Sequence, residues 1–259
     1  MRIISKSRLT AFWVACSQAE GPLREWYSLT AKAQWGNFVD LKQIYSSADQ
    51  VKVRSGNTVT VFNIGGNKWR LIAAVHYNTK TVYVLSVMTH EEYDENKWKE
   101  KSRIKGRGIM ASTPKQRTLK TRHRIVCTNR DIGVDSECLY PIWPLRNEED
   151  YSRAVEVVDK LAVKGEEQLA PLERDQLEVF STLIEKYEDE HHNIKPLELS
   201  PIDFLKLLMR ENGMNASDLG KLLGDRALGY RVLKGERGLS KSHIKILSDH
   251  FKVDASSFI

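Results

Sequence analysis

The stretch TVTVFNIGGNKWRLIAAVHYNTKTVYVLSVMT, residues 58–89, decides the fold of the first part of the chain. Its segments TVTVFNI, WRLIAAVHY and TVYVLSVMT alternate polar and apolar residues, which is the pattern of half-buried β-strands. HYNTKTV predicts a hairpin turn between the last two strands, and VRSGNTV predicts another hairpin turn before the first. The stretch therefore predicts an antiparallel sheet, and its strand order stays open.

The residues before this sheet have a helical period. Over the first ~35 residues, apolar side chains recur at spacings of three and four, which predicts two amphipathic helices. They are Leu9, Phe12, Trp13 and Cys16 in the first helix and Leu23, Trp26, Tyr27 and Ala31 in the second. We therefore expect residues 1–98 to form an α+β module of two helices followed by an antiparallel sheet.

The composition bounds the class of protein. The chain has 259 residues, of which 41% are hydrophobic and 29% charged, and its apolar runs are shorter than the ~20 residues that a membrane span needs. No apolar segment with a cleavage site marks the N-terminus for export, so we expect a cytoplasmic protein without a membrane partner. Cys16, Cys127 and Cys138 are scattered, and no CxxC motif occurs. We expect reduced thiols, no metal site and no cofactor.

Charge divides the chain into blocks. The net charge is +8 for residues 1–110, +3 for residues 111–138, −8 for residues 139–198 and +3 for residues 199–259. Basic surfaces suit nucleic-acid phosphates, and an acidic module in the same chain can pair with a basic one. Unevenly charged solvated surfaces are the simpler interpretation of the same pattern.

The middle of the chain separates these blocks. Residues 99–138 are basic, punctuated by glycine and poor in large apolar residues, which predicts a flexible linker or, in part, an arm that contacts nucleic acid. Residues 139–198 predict two amphipathic helices, the first capped by Asn147 ahead of three acidic residues. Their apolar stripes are Tyr151, Ala154, Val155, Val158 and Leu161, then Leu177, Phe180, Leu183, Ile184 and Tyr187.

The last segment, residues 199–259, predicts short helices separated by Gly or Asn breaks. Two of them, residues 215–223 and 226–233, are joined by a tight turn and have the spacing of a helix-turn-helix. Polar and small side chains in and around the second helix are positioned to reach base edges and phosphates. We predict that the DNA-binding residues are Ser217, Arg226, Ala227, Tyr230 and Arg231.

LGKLLGDRALGYRVLKGERGLSKSHIKILSDHFKVDASSFI resembles a Cro/repressor-type domain of the kind found in HigA antitoxins. YPIWPLRNEEDYSRAVEVVDKL extends the resemblance, which implies that residues 139–198 bind a toxin. Gly229 departs from the pattern, because glycine inside a recognition helix costs roughly 1 kcal/mol relative to alanine. We expect it either to soften the helix or to make room for the DNA backbone. A helix-turn-helix fold that no longer binds DNA is the alternative.

MRIISKSRLTAFW, YSSADQV, VFNIGGNKWRLIAAV and VMTHEEYD, in that order, resemble HigB toxins, which belong to the RelE-like mRNA interferases. The resemblance implies a compact α+β fold that cuts mRNA on the ribosome. Cutting RNA without a metal ion needs proton transfer to and from oxygen and stabilisation of an anionic phosphorane. We predict that the catalytic residues are Arg70, His90, Tyr93, Lys68 and Asn67.

Within this prediction, Arg70 holds phosphate oxygens, and Lys68 adds charge on the same side of the strand. His90, at the end of a strand, exchanges protons near neutral pH. Asn63, Lys6 and Lys32 are predicted to contact RNA. The alternative for the tight turn at Gly65 is a purely structural role. The alternative for Asp94 is a solvated surface residue without a catalytic role.

The sequence thus predicts a HigB-like endoribonuclease, a basic linker and a HigA-like antitoxin in one chain, joined naturally or by engineering. We expect the antitoxin part to contact the toxin part within one chain or between subunits, and a homodimer to bind operator DNA. Two alternatives stay open: a DNA-binding regulator with an inactive toxin relic, and a protein whose basic modules bind nucleic acid without cutting it.

Overall fold

The three alternating segments form the centre of a five-stranded sheet. The computed structural model describes residues 1–100, called here the N-terminal region, and residues 140–259, called the C-terminal region. The strands are β1 (Arg2–Ile4), β2 (Asp49–Lys52), β3 (Thr58–Ile64), β4 (Trp69–His76) and β5 (Thr81–Thr89). Their order is β1-β5-β4-β3-β2. The pairs β2–β3, β3–β4 and β4–β5 are antiparallel, so both predicted hairpins are confirmed.

The first strand was not predicted. β1 runs parallel to β5, with Arg2 opposite Thr81 and Ile4 opposite Tyr83. The sheet is therefore mixed, and the prediction of an all-antiparallel sheet after purely helical residues is wrong at this edge. A strand of three residues is too short to show a period, and a parallel partner 79 residues away leaves no local signal.

Five helices complete the N-terminal region. They are α1 (Ser7–Ala15), α2 (Glu20–Lys32), α3 (Phe38–Lys42), α4 (His90–Asp94) and α5 (Lys97–Glu100). The first two match the predicted pair, whereas α3 was not predicted. α5 contains the first two residues of the predicted linker, and the rest of that linker lies outside the described residues.

The C-terminal region is helical. Its helices are α6 (Glu148–Ala162), α7 (Pro171–His191), α8 (Pro201–Glu211), α9 (Ala216–Leu223), α10 (Arg226–Leu233) and α11 (Lys241–Phe251). Asn147 caps α6 as predicted, because its side chain accepts a hydrogen bond from the amide of Asp150. Gly224 ends α9 in the left-handed conformation, at φ +92°. Among the described helices, none is long and apolar enough to cross a membrane.

The two regions share their hydrophobic cores. On one face of the sheet, Phe62 and Leu71 belong to a cluster that includes α1 to α3 and continues into α8 to α11. On the other face, Ile72 and Tyr83 belong to a cluster that includes Tyr151 and the apolar stripes of α6 and α7. The C-terminal region therefore packs on one face of the N-terminal sheet through α6 and α7, and on the other side its helices α8 to α11 join the core that α1 to α3 form with the sheet.

Candidate active site and nucleic-acid surfaces

The glycine turn between β3 and β4 has an unusual backbone. Gly65, Gly66 and Asn67 have φ values of +61°, +64° and +77°, all in the left-handed region. A Cβ on Gly65 would collide with the Trp69 ring, whose Cε3 atom would lie 2.7 Å away. Glycine is needed there for space as well as for φ, whereas open space surrounds Gly66. The turn leaves Asn67 and Lys68 exposed at the end of the sheet.

Arg70 lies beneath this turn. The residue is 7% exposed, and its Nη1 donates to the carbonyl oxygens of Asn67 at 3.1 Å and Trp69 at 3.3 Å. Its guanidinium carbon is 5.5 Å from the centre of the Tyr93 ring, which is a cation–π distance. Arg70 therefore ties the glycine turn to Tyr93.

Tyr93 is held in place from its other side by Trp98. The two rings stack at 5.2 Å with an interplanar angle of 21°, and the Trp98 Nε1 donates to the Tyr93 carbonyl oxygen at 3.1 Å. Burial raises the pKa of the Tyr93 hydroxyl, and the nearby charge of Arg70 opposes that rise. The hydroxyl is consequently protonated at neutral pH and able to donate a hydrogen bond.

His90 lies beside the same turn. It is the first residue of α4 rather than a strand residue, and its amide donates to the Lys68 carbonyl oxygen at 3.2 Å. Thr89 begins the helix with a capping box that Glu92 completes. The Asp94 side chain is 61% exposed, in agreement with the prediction that it is solvated, and its Oδ2 is 2.8 Å from the His90 Nδ1.

Lys68 and Asn63 depart in part from their expected positions. Lys68 is in the turn, since β4 begins at Trp69, and its ammonium is 5.9 Å from the Trp69 ring centre. The prediction that Lys68 projects beside Arg70 from a strand is therefore wrong. Asn63 is opposite Arg70 in the sheet, and its Nδ2 donates to the Ser47 carbonyl oxygen at 3.2 Å.

A groove adjoins these residues at the boundary between the two regions. It has a volume of about 420 Å³ and is lined by Asn63, Asn67, Arg210 and Glu211 together with Ser47 and Gly66. The Arg210 Nη2 also pairs with Glu25 Oε2 of α2, and the Asn212 Nδ2 donates to the Gln43 carbonyl oxygen at 2.6 Å. The end of α8 thus forms one wall of the groove.

The predicted RNA contacts Lys6 and Lys32 are elsewhere. Lys6 is buried, and its ammonium pairs with Asp189 of α7 at 2.7 Å. The Lys32 ammonium is 4.4 Å from the centre of the Phe204 ring in α8. Both side chains face the C-terminal region in this structure, and their role in binding RNA stays a prediction.

Charged pairs join α1 and β1 to the acidic helices. Arg8 donates through Nη1 and Nη2 to the two carboxylate oxygens of Asp159, at 2.7 and 2.6 Å. Arg2 pairs with Glu178 and Glu185, each at 2.8 Å. Sequence analysis missed these arginines, because their partners lie more than 150 residues away and leave no local pattern.

A buried polar cluster lies beside these pairs. Glu188 Oε1 accepts from the Tyr151 hydroxyl at 2.6 Å and from the Ser7 amide at 3.2 Å, and the hydroxyls of Ser7 and Tyr151 are 2.5 Å apart. Burial raises the pKa of Glu188 to about 7, against the hydrogen bond from Tyr151 and the charge of Lys6. A titratable carboxyl therefore lies inside the contact between the two regions.

The five predicted DNA-binding residues are exposed together. Ser217 is at the start of α9, and the other four lie on α10. The Lys234 ammonium is 4.5 Å from the centre of the exposed Tyr230 ring, and Arg237 is exposed just beyond the helix. The surface is thus basic, with one aromatic ring among its cations.

Gly229 faces away from this surface. It is buried, and a Cβ there would collide with the Ala216 carbonyl oxygen and lie 2.6 Å from the Gly220 nitrogen. The expectation that Gly229 makes room for a DNA backbone is therefore wrong, since the glycine allows α9 and α10 to approach closely.

Comparisons with known proteins divide the chain in the same way. A family model described as HigB_toxin, a RelE-like toxic component of a toxin-antitoxin system, matches residues 19–96. The mRNA interferase toxin HigB of Escherichia coli K12 is 38% identical over 64 residues, which are 25% of this chain and 60% of that protein. An mRNA interferase HigB of Shigella flexneri matches over the same extent. The chain thus spans about 60% of the length of these HigB relatives.

The remainder of the chain is similar to a different protein. The antitoxin HigA of Escherichia coli K12 is 30% identical over 139 residues, which are 50% of this chain and 96% of that antitoxin. Nearly the whole length of an antitoxin is therefore matched within a chain that also matches a toxin.

Proposed function

The chain belongs to the HigA antitoxin family and carries a HigB-type toxin domain in addition, and on this premise we propose that it is a toxin neutralised by its own antitoxin. The N-terminal region is then an mRNA endoribonuclease that acts on translating ribosomes. The C-terminal region blocks this activity and represses transcription from its own operator. Since mRNA and operator DNA are both in the cytoplasm, the protein works there, as a homodimer on DNA.

One observation carries the nuclease proposal: Arg70, Tyr93 and His90 meet at one end of the sheet, beside the glycine turn. In RNA cleavage the 2′-oxygen attacks the neighbouring phosphorus, and the bond from phosphorus to the 5′-oxygen breaks. In this proposal His90 transfers the proton and Tyr93 hydrogen-bonds to a phosphate oxygen. Arg70 supplies positive charge for the phosphorane, and Asn67 and Lys68 orient the strand at the turn.

The side chains offer a complete set of groups for this chemistry. We propose that Asp94, whose Oδ2 is 2.8 Å from the His90 Nδ1, orients the imidazole and leaves Nε2 as the nitrogen that exchanges protons. The second proton, for the leaving 5′-oxygen, comes from Tyr93 or from the imidazolium. Proton transfer and charge stabilisation are thereby supplied without a metal ion or a cofactor.

The position of the C-terminal region on this domain supports the proposed neutralisation. α6 and α7 cover the sheet face that carries Ile72 and Tyr83, and the end of α8 walls the groove at Asn63 and Asn67. Arg70 is 7% exposed, and the groups that it contacts, on Asn67, Trp69 and Tyr93, belong to its own region. We propose that the C-terminal region keeps ribosome-bound RNA away from this end of the sheet, and that the contact forms within one chain or between subunits.

The DNA-binding proposal rests on the α9–α10 pair. Two helices of eight residues are joined at Gly224 and Asp225, and the predicted contact residues are exposed on the second helix and at the start of the first. Cro-type domains read two half-sites as dimers, so the proposed homodimer would bind a palindromic operator upstream of the gene.

Expression of residues 1–100 alone tests the nuclease proposal. We expect growth arrest with cleaved, translated mRNA, and no arrest from the full chain. Arg70→Ala and His90→Ala serve as inactive controls, and His90, which is half exposed, is the one whose removal spares the fold. A soluble, folded fragment that leaves mRNA intact would contradict the proposal.

A second function is favoured by the position of Arg70. Its guanidinium donates to carbonyl oxygens of its own turn, which is also what a purely structural arginine does. The chain would then be a DNA-binding regulator with an inactive toxin domain. The same fragment decides between the two, because an inactive domain causes no arrest although it folds.

A further inference from the structure

A row of positive and hydrogen-bond-donating groups lies beside β5 where β1 forms the edge of the sheet. The backbone amides of residues 77–79 form the turn before β5, Arg2 lies beside Lys80 and Thr81, and Arg8 donates to the Val84 carbonyl oxygen at 2.6 Å. Along the strand, the positions next to Arg2 and Arg8 are Thr81 and Val84, three residues apart, which is about 10 Å at ~3.3 Å per residue. We call these groups, with Lys6, the β5 edge.

A single carboxylate fills the first part of the β5 edge. Glu166, between α6 and α7, accepts from the amide of Tyr77 at 2.9 Å, from that of Asn78 at 3.1 and 3.2 Å and from that of Thr79 at 3.3 Å. Three successive amides that converge on one carboxylate form an anion-binding concavity of the kind that also holds phosphate.

Carboxylates fill the rest of the edge in the same manner. Arg2 pairs with Glu178 and Glu185, Lys6 with Asp189, and Arg8 with Asp159. Each of these acids comes from the C-terminal region. The pairs of Arg2 lie at the rim of the contact, where Glu178 is 56% exposed, so a ligand can reach Arg2 without separation of the two regions.

We propose that the β5 edge is a docking surface for the phosphate backbone of RNA, which the acidic helices occupy as phosphate substitutes. The inference rests on the proposed toxin function, because it assigns a second RNA contact to that domain, away from the glycine turn at the other end of β4. RNA fits the surface better than a peptide does, because the phosphates of RNA form a line of anions. The donors of the β5 edge are also spaced along a line, and each one is paired with a carboxylate. An RNA bound there is held along the sheet towards the catalytic end.

Binding of RNA by the full chain tests this inference. The variant Glu178→Gln/Glu185→Gln frees Arg2 at the rim with little change of shape. With a short fluorescein-labelled single-stranded RNA, fluorescence anisotropy should show roughly fivefold tighter binding than for the unmodified chain. The slope of log K against the logarithm of the salt concentration should become steeper by about 0.7, which is the value for one additional phosphate contact to a single strand.

The matched control is Asp175→Asn/Glu190→Gln, which changes the same charge on the same helix. In the described part of the chain, the carboxylates of Asp175 and Glu190 form no ion pair with the β5 edge, so this control should leave RNA binding near that of the unmodified chain. Addition of Arg2→Ala to Glu178→Gln/Glu185→Gln should remove the gain. Equal binding by the two double variants, or a gain that survives Arg2→Ala, would overturn the inference.

The nuclease proposal can fail without affecting this result. Binding is measured rather than cleavage, so a catalytically inactive domain still reports on the β5 edge. RNA that binds to α10 contributes the same background in every variant, because none of the substitutions alters that helix.

Discussion

Arg8 and Asp159 form a two-bonded ion pair across the contact between toxin domain and antitoxin region. The nitrogen–oxygen distances are 2.7 and 2.6 Å, and each side chain is only 18% exposed. Burial of two charges is costly, so such a pair adds little net stability compared with apolar residues of the same shape. Removal of one partner costs much more, because the other charge stays buried without compensation.

We therefore predict that Asp159→Asn lowers the free energy of unfolding of the full chain by about 3 kcal/mol. Urea denaturation measures the change. Asp175→Asn, on an exposed position of α7, is the control and should stay within ~0.5 kcal/mol of the unmodified chain. Equal stability of the two variants would show that the pair does not hold the two regions together.

Glu188 makes stability depend on pH. Burial raises the pKa of its carboxyl from 4.5 to about 7, so the folded chain holds this proton more tightly than the unfolded chain does. The stabilisation from Glu188 is fully present below pH 4.5 and is lost as the pH rises through about 7. Lys6 and Arg8, which carry positive charge, and the Tyr151 hydroxyl are the groups that face it.

Glu188→Gln should remove this dependence, since an amide resembles the protonated carboxyl and does not titrate. Between about pH 5 and about pH 8, the unmodified chain should lose up to ~3 kcal/mol of stability relative to the variant. Urea denaturation at both pH values measures this. A difference between the two proteins that stays constant with pH would contradict the assignment.

Gly229 permits the close approach of α9 and α10. Gly229→Ala places a methyl group against the Ala216 carbonyl oxygen, and we expect it to cost at least ~2 kcal/mol, as overpacking of a core does. Gly238→Ala is the control, because nothing lies within 4 Å of a Cβ at that position. Thermal denaturation of the two variants compares them, and equal midpoints would refute the packing role.

Arg231 is exposed on α10 and is predicted to contact DNA. Arg231→Ala should weaken binding to the upstream operator fragment and reduce the slope of log K against log salt by about 1. Lys186→Ala removes an exposed charge from α7 and should leave both quantities unchanged. An equal effect of the two substitutions would argue against DNA binding by α10.

Local patterns in the sequence were sufficient for much of the fold. Alternation between residues 58 and 89 predicted the three central strands, and the side chain of Asn147 predicted the start of α6. The parallel strand β1 could not be predicted in this way, since it has three residues and its partner is distant in sequence. The same distance hid the pairing of Arg8 with Asp159, although the opposite charges of the two blocks predicted that they would meet.

The sequence predicted several of the side chains that surround the glycine turn, but less of their geometry, and their catalytic roles stay predictions. The positions of Arg70, Tyr93 and His90 follow from the motifs around the glycine turn. Lys68 was misplaced because the positive φ of Asn67 extends the turn by one residue. No sequence pattern indicated the stacking of Tyr93 on Trp98. The closeness of Asp94 to His90 did have a sequence signal, because residues four apart lie on the same face of a helix.

The most direct test of self-neutralisation uses the full chain with Asp159→Arg, which places a second cation against Arg8. Growth and mRNA integrity are followed after induction, with Asp175→Arg and Asp159→Arg/His90→Ala as controls and immunoblots to establish equal amounts of protein. We predict growth arrest with cleaved mRNA for Asp159→Arg alone. Normal growth and intact mRNA, at equal amounts of soluble Asp159→Arg protein, would contradict the account.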